Sequence, residues 1–304
     1  MLAPWAGTGD DIPHMQLKRA VTYLTQKHKK MKVKTPSLHV ILGSITAHAI
    51  DELQIDKEWK ELGEISFKNV PGLEAATAPG HKGCFQYYQH LKTGKTLTIQ
   101  AGRVHGYEGV QPRNAVRPVL SHRLLGTKKF IITNAAGSLD KKMDSGSLMI
   151  LSDHVNLTGA NPLAGPIPKG QNGKDLGPRF PDLSNVYDPE MRATMRAQFA
   201  SEKFDVFEGV YLGLLGPCFE TPAEVRLFAS WGLQAVGMST VWEAISLKHA
   251  SSTVAGVSLV TNLCAGLLDR PLVHEEFEVA MRGSAVRFAR ALFQVAGKEL
   301  EQDG

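Results

Sequence analysis

The sequence predicts an α/β fold in which a mostly parallel or mixed sheet is covered by helices on both faces. Three observations carry this. Short apolar, β-branched runs alternate with longer segments of helical period along the chain. Those runs are continuously apolar, the pattern of strands buried on both faces. Several of them end in small or polar residues, where open α/β sheets place their ligands.

The elements follow in order. Residues 1–13 form a polar arm with glycine and proline, and residues 14–31 form a helix with Met15, Val21, Tyr23 and Leu24 on its apolar side. The basic run Lys27–Lys34 closes that helix, where cations suit the helix dipole, and reads as a solvated end. Leu38–Leu42 is a buried strand that stops at Gly43-Ser44. A strand turning there into a helix can aim N–H groups and a hydroxyl at a phosphate. No GxGxxG and no Walker lysine follows, which excludes dinucleotide and P-loop sites. Residues 65–100 alternate strand-like runs with turns, among them Phe85–Gln89 and Thr96–Ile99 with a turn between them. Gly102 to Gly109 carries Arg103, His105 and Tyr107 at a spacing of two, which puts all three on one side if the piece is extended. Arginine can fork onto a phosphate, and histidine can add a hydrogen bond or a proton.

A helix over Ala115–Leu125 leads to the strand Phe130–Thr133, ending at Asn134-Ala135-Ala136-Gly137, and then to Leu148–Leu151, ending at Ser152-Asp153-His154. Asp153 and His154 resemble a relay pair, but with no nucleophile nearby they read as structural hydrogen bonding. Residues 158–188 are a Gly/Pro-rich loop, long enough to suggest a functional or interfacial role. Helix Pro189–Glu202, strand Gly209–Leu214, helix Pro222–Trp231, strand Ala235–Val236, helix Thr240–His249, strand Val254–Val260 and helix Glu275–Ala296 complete the chain. The stretch from Gly216 to Asn262 brings apolar runs to polar ends three times. A carboxylate, a hydroxyl and a carboxamide delivered there can read a small polar heterocycle.

Composition bounds the function. The 304 residues are 43% hydrophobic and 21% charged, enough for a sizeable core. A net charge of +4 is too balanced for a nucleic-acid surface and is compatible with an anionic substrate. Cys84, Cys218 and Cys264 form no CxxC pair, which argues against a disulfide framework or zinc site and suits a reducing cytoplasm. No apolar run reaches membrane-spanning length, and no signal peptide is expected from the first residues.

Nine ordered segments resemble the purine nucleoside phosphorylases of the low-molecular-weight, trimeric type. They are PGHKG (79–83), GRVHGYEG (102–109), ITNAAGSL (132–139), DHVNL (153–157), NPLAGP (161–166), RFPDLSNVYD (179–188), GPCFETPAE (216–224), AVGMSTVWE (235–243) and VSLVTN (257–262). The resemblance implies a nucleoside-phosphorylase α/β domain over 37–304, a three-layer fold with a mixed, partly barrelled sheet, preceded by an arm and helix over 1–36. It implies that Ser44, His81, Arg103, His105, the Ala135 backbone and Ser239 surround phosphate. Tyr107, Met238 and His274 would hold the ribose. Phe219, Glu220 and Asn262 would hold the base, with His105, Glu220 and Asn262 closest to the chemistry.

The implied reaction is phosphorolysis of a 6-oxopurine nucleoside, with no metal, no cofactor and inorganic phosphate as co-substrate. The implied partners are nucleoside, phosphate and two further copies of the chain, not nucleic acid or membrane. A carboxamide at Asn262 suits a 6-oxo group, whereas a carboxylate there would suit a 6-amino group. The chain departs from the family at Gly43-Ser44-Ile45-Thr46-Ala47, where glycines are missing, at the short Leu157-Thr158-Gly159-Ala160 segment, and at Ser138. Rival readings are a phosphorylase of shifted base preference (xanthosine or methylthioadenosine), a nucleosidase, or a non-catalytic nucleoside-binding protein.

Overall fold

The computed structural model describes residues 12–55, 57–267 and 274–302, with side chains described over 14–55, 57–267 and 281–302. The helices are α1 (Ile12–Met31), α2 (Ser44–Ala47), α3 (Pro112–Ala115), α4 (Arg117–Leu124), α5 (Pro189–Ser201), α6 (Pro222–Ser230), α7 (Val241–His249) and α8 (His274–Gln302). The strands are β1 (Leu38–Leu42), β2 (Trp59–Ser66), β3 (Cys84–His90), β4 (Thr96–Ala101), β5 (Lys129–Ser138), β6 (Leu148–Asn156), β7 (Val206–Gly213), β8 (Ala235–Gly237) and β9 (Thr253–Leu263).

One mixed sheet runs β2-β3-β4-β1-β5-β8-β7-β6-β9, and β9 returns to pair with β5. Five strands therefore close into a barrel, with β1, β4, β3 and β2 extending from it as a wing. The strands β4, β1, β5 and β9 are parallel neighbours, while β8 meets β5 and β6 meets β9 antiparallel. One apolar layer packs α5 and α8 on the sheet through Met195, Phe199, Phe288 and Leu292; another packs α4 and α7 through Val119, Leu120, Ala244 and Leu247. A third sets Ala20 and Leu24 of α1 against Phe67, Phe85 and Tyr87.

Several boundaries differ from the sequence-based expectation. The helix expected over Ala115–Leu125 is two helices. Pro118, with no N–H and a ring that crowds the carbonyl four residues earlier, prevents α3 from running into α4. The buried stripe of α1 is Leu17, Ala20, Val21 and Leu24, and Met15 is exposed. The strand β2 was not visible as one because a bulge between Glu61 and Gly63 breaks its period. Most relevant to function, β5, β6 and β9 are longer than their apolar runs. Ala135, Ala136 and Gly137 do not end a strand; β9 pairs with them and carries the ladder through to Ser138 and Leu263. Asn262 likewise lies inside β9, and Asp153 and His154 lie inside β6.

Candidate active site

The longest excursions of the fold converge on one cleft of about 320 Å³. Eleven of the residues expected at the site line it: Ser44, His81, Arg103, His105, Tyr107, Ala135, Phe219, Glu220, Met238, Ser239 and Asn262. The twelfth, His274, begins α8, and its side chain lies outside the described residues.

At one end, β1 delivers Gly43 and Ser44 beside the middle of β5. A Cβ on Gly43 would stand 3.3 Å from both the Ala135 nitrogen and the Asn134 Cα, so its lack of a side chain permits this approach. The glycine-poor stretch after it forms α2, a helical turn. Ile45 lines the cleft and also packs toward α8, which anchors the turn.

Arg103 follows β4 and is 3% exposed. Its Nε donates to Glu243 Oε1 at 3.0 Å and an Nη donates to the Thr133 carbonyl at 2.7 Å. These partners fix the guanidinium plane and leave further N–H groups for another acceptor. The Arg103 backbone N–H donates to His81 Nδ1 at 3.1 Å. Because Nδ1 accepts, the neutral His81 ring carries its proton on Nε2 and offers a donor. Burial, with help from the nearby His105 and Arg103, drives His81 down to about 2, so the ring is neutral. Gly102 makes this possible with φ 104°, where a Cβ would stand only 2.8 Å from the His81 Cβ.

His105 has the opposite polarity. Its Nδ1 and its backbone N–H both donate to Glu108 Oε1, at 3.1 and 2.7 Å. Burial pushes Glu108 up, but hydrogen bonds from His105 and Thr77 outweigh that and hold it at about 2. The carboxylate therefore takes the Nδ1 proton, leaving Nε2 as an acceptor in the neutral ring. Burial lowers His105 more than Glu108 raises it. Glu108 also accepts from the Thr77 and Ala78 backbone, tying the loop before His81 to the same carboxylate.

Arg103, His105 and Tyr107 do face one cleft, but not as one extended strand. Residues Gly106–Glu108 form a 3-10 turn, and the Tyr107 ring stacks on His105 at 4.7 Å and 12°. Gly216 packs against Met238 and Tyr107, bringing these two side chains together beside the rings.

At the other end, Glu220 precedes α6 and is fixed there by a capping box. Thr221 Oγ1 accepts from the Glu224 N–H, and the Glu224 carboxylate accepts from the Thr221 N–H at 2.7 Å. Burial raises Glu220 above its ordinary value. Asn262 Nδ2 donates to the Leu263 carbonyl at 3.0 Å and its Oδ1 accepts from Thr261 Oγ1 at 2.7 Å. With the oxygen engaged, the carboxamide has an N–H to spare. Phe219 is 43% exposed at the mouth.

Sequence reasoning missed Glu108, Thr261 and Glu243, which hold these groups in place. In the structure Glu243 turns to Arg103, and Thr240 makes no capping bond. His154 donates or accepts with the Tyr187 hydroxyl at 3.0 Å, away from the cleft lining. Trp242 Nε1 donates to Thr158 Oγ1 at 2.9 Å and so pins the short segment after β6.

The cleft runs along the barrel seam, with a guanidinium and two histidines at one end and a carboxylate and a carboxamide at the other, and the fold that carries it is that of the nucleoside phosphorylases. The family model described as the phosphorylase superfamily matches residues 51–296. The chain belongs to this superfamily and, within it, to the purine nucleoside phosphorylases. Purine nucleoside phosphorylase 1 of Geobacillus stearothermophilus is 36% identical over 284 residues, spanning 92% of this chain and 99% of its own. The Bos taurus purine nucleoside phosphorylase is 36% identical over 232 residues, or 75% of this chain and 76% of its own. Among solved structures, Schistosoma mansoni purine nucleoside phosphorylase in complex with adenosine superimposes with a TM-score of 0.78 at 28% identity, covering 93% and 97% of the two chains. A schistosoma purine nucleoside phosphorylase in complex with hypoxanthine gives 0.79 at 28% identity, covering 96% and 99%.

Proposed function

We propose that this chain catalyses reversible phosphorolysis of 6-oxopurine ribo- and deoxyribonucleosides, inosine and guanosine, to free base and (deoxy)ribose 1-phosphate. One observation carries the reading. A single cleft holds a buried guanidinium beside a histidine N–H donor at one end, and at the other a buried carboxylate beside an oriented carboxamide. That arrangement fits a substrate pair that is anionic at one end and heterocyclic at the other.

Phosphate would lie against Arg103, His81 Nε2–H, Ser44, Ser239 and the Ala135 N–H. Its oxygen attacks the anomeric carbon as the bond to the purine nitrogen breaks, and the bonding pair leaves with the base. The sugar passes through an oxocarbenium-like state that the phosphate charge stabilises. Catalysis then rests on positioning and on donors aimed at the charge that develops. Asn262 donates to the purine as charge reaches it, and Glu220 accepts from the ring N–H of a 6-oxopurine. The His105 Nε2 lone pair accepts a hydrogen bond from a substrate hydroxyl or from a protonated phosphate oxygen. Tyr107, Met238 and His274 would flank the sugar, with Phe219 on the base. No metal or cofactor is needed beyond phosphate as co-substrate.

The active form is read as a homotrimer. Phe219 stays 43% exposed at the cleft mouth, apolar surface that a neighbouring copy would cover. A cytoplasmic enzyme agrees with three free cysteines. Among the described residues, no helix is long and apolar enough to cross a membrane.

The deciding assay follows purine and ribose 1-phosphate from inosine with and without phosphate, and repeats it with adenosine. Phosphate-dependent formation of both products from inosine supports the proposal. Free ribose formed without phosphate makes the protein a hydrolase. Preference for adenosine, the ligand of one structural relative, shifts the base assignment away from Asn262 as a 6-oxo reader.

A further inference from the structure

Behind Ser239 the chain adopts a backbone that a threonine rarely takes. Thr240 has φ 73° and ψ −53°, and the Val241 N–H donates to the Ser239 carbonyl at 2.8 Å. This is a γ-turn of the rarer, strained hand. A β-branched residue at positive φ costs free energy and persists where the surroundings enforce it. Glycine at this position would carry no such strain, so something about the side chain matters.

The Thr240 side chain is 2% exposed and lies among the polar groups of Asn134, Ser239 and Tyr211. Asn134 Nδ2 donates to Thr240 Oγ1 at 2.8 Å, and Thr240 Oγ1 lies 3.1 Å from Ser239 Oγ. Asn134 sits within β5 next to Ala135, is 3% exposed, and reaches Thr240 from beneath the cleft. A carboxamide nitrogen only donates. Thr240 Oγ1 thus accepts from Asn134, which leaves its own proton free to be donated to Ser239 Oγ. With Thr240 as the donor, Ser239 accepts from behind and its own proton is free for the cleft that it lines.

We propose that Asn134 and Thr240 form a hydrogen-bond relay that fixes Ser239 as a donor toward the anion end of the cleft. They are positioning residues, with no expected contact to substrate. The inference rests on the phosphorolytic reading, which assigns phosphate to that end. The strained turn is what places the Thr240 hydroxyl between the amide and the serine. A chain of donors that all point one way suits an oxyanion whose groups are mostly acceptors, and a reversed chain would offer phosphate a lone pair.

The test compares Thr240→Val, Thr240→Ser, Ser239→Ala and the double variant Thr240→Val/Ser239→Ala in steady-state inosine phosphorolysis. Valine keeps the β-branched shape and loses only the hydroxyl, whereas serine keeps the hydroxyl. The relay predicts that Thr240→Val raises the phosphate KM about ten-fold with the inosine KM unchanged. It predicts that Thr240→Ser restores the wild-type value, and that Thr240→Val has no further effect once Ser239 is alanine. Equal changes in both KM values, or additive effects in the double variant, overturn it. If the wild type cleaves no nucleoside, the phosphorolytic reading falls instead. Thermal stabilisation of the same four variants and wild type by inorganic phosphate then decides the relay alone: Thr240→Val loses the shift and Thr240→Ser keeps it, and any other pattern rejects it.

Discussion

Arg103 Nε meets Glu243 Oε1 at 3.0 Å with both side chains buried, at 3% and 6% exposed. The pair joins the segment after β4 to the first turn of α7, two parts of the chain far apart in sequence. An arginine buried for an anionic substrate needs a permanent counter-charge, because without one it is an uncompensated ion in a dry site.

Glu243→Ala is therefore expected to destabilise the protein by about 3–5 kcal/mol, the cost of breaking a buried pair by removing one partner. Urea denaturation of wild type and variant measures it. A loss under about 1 kcal/mol would mean that solvent reaches Arg103 and that the pair has only surface strength.

Gly102→Ala places a Cβ 2.8 Å from the His81 Cβ at a φ of 104°. Strain of about 1–3 kcal/mol is expected, together with displacement of His81 from the Arg103 N–H. The phosphate KM should rise more than the inosine KM. Unchanged kinetics would remove His81 from the anion end.

Asn262→Asp exchanges the free amide donor for an acceptor. The inosine kcat/KM should fall by about 10²–10³, the usual cost of one well-placed donor, while adenosine gains relative to inosine. The ratio of the two substrates in a competition assay is the readout, and an unchanged ratio counts against Asn262 as the discriminating group.

Acid should inactivate the enzyme above the ordinary glutamate range. Burial raises Glu220, and its ionised form is the stronger acceptor for a purine N–H. As pH falls through that raised value the carboxylate protonates and kcat/KM declines. Glu220→Gln should be slow and lack this acid limb; retention of the limb would assign it to another group.

Acid should also unfold the protein through His28, His39 and His122, which cluster under α1 and β3. Burial holds His28 at about 4, His39 at about 3 and His122 well below its ordinary value. In the unfolded chain all three take up protons near pH 6.5. Their contribution is complete above that pH and is lost as pH falls toward the folded values. The slope reaches at most about 4 kcal/mol per pH unit for three sites. His39→Gln should flatten the fall of unfolding free energy between pH 6.5 and 5; an unaltered slope would contradict this.

The alternating pattern made the α/β class legible, because buried strands and amphipathic helices leave different periods. The residues lining the cleft were legible through motifs that cluster by type: Arg103 with His105, and Glu220 near Asn262. What holds them was not. Glu243 lies in the first turn of α7, and nothing local in the sequence says that its carboxylate crosses to Arg103. Strand length was also hidden. Ala135, Ala136 and Gly137 have low β-propensity, and it is the β9 ladder, joined by β8 at Gly137, that keeps them extended. Closure of the barrel is a property of the β5–β9 pairing, which no single segment announces.

That pairing has a further consequence. Ala135 and Asn262 lie on neighbouring strands, two ladder steps apart, with a bulge after Ala136. The span between the two ends of the cleft is thus a fixed gauge, set by hydrogen-bonded backbone and not by a hinge between lobes. Slippage of either strand by one residue would misplace both ends together. Activity should accordingly vanish along the same curve as the folded barrel itself, making turnover a sensitive witness to the integrity of one seam.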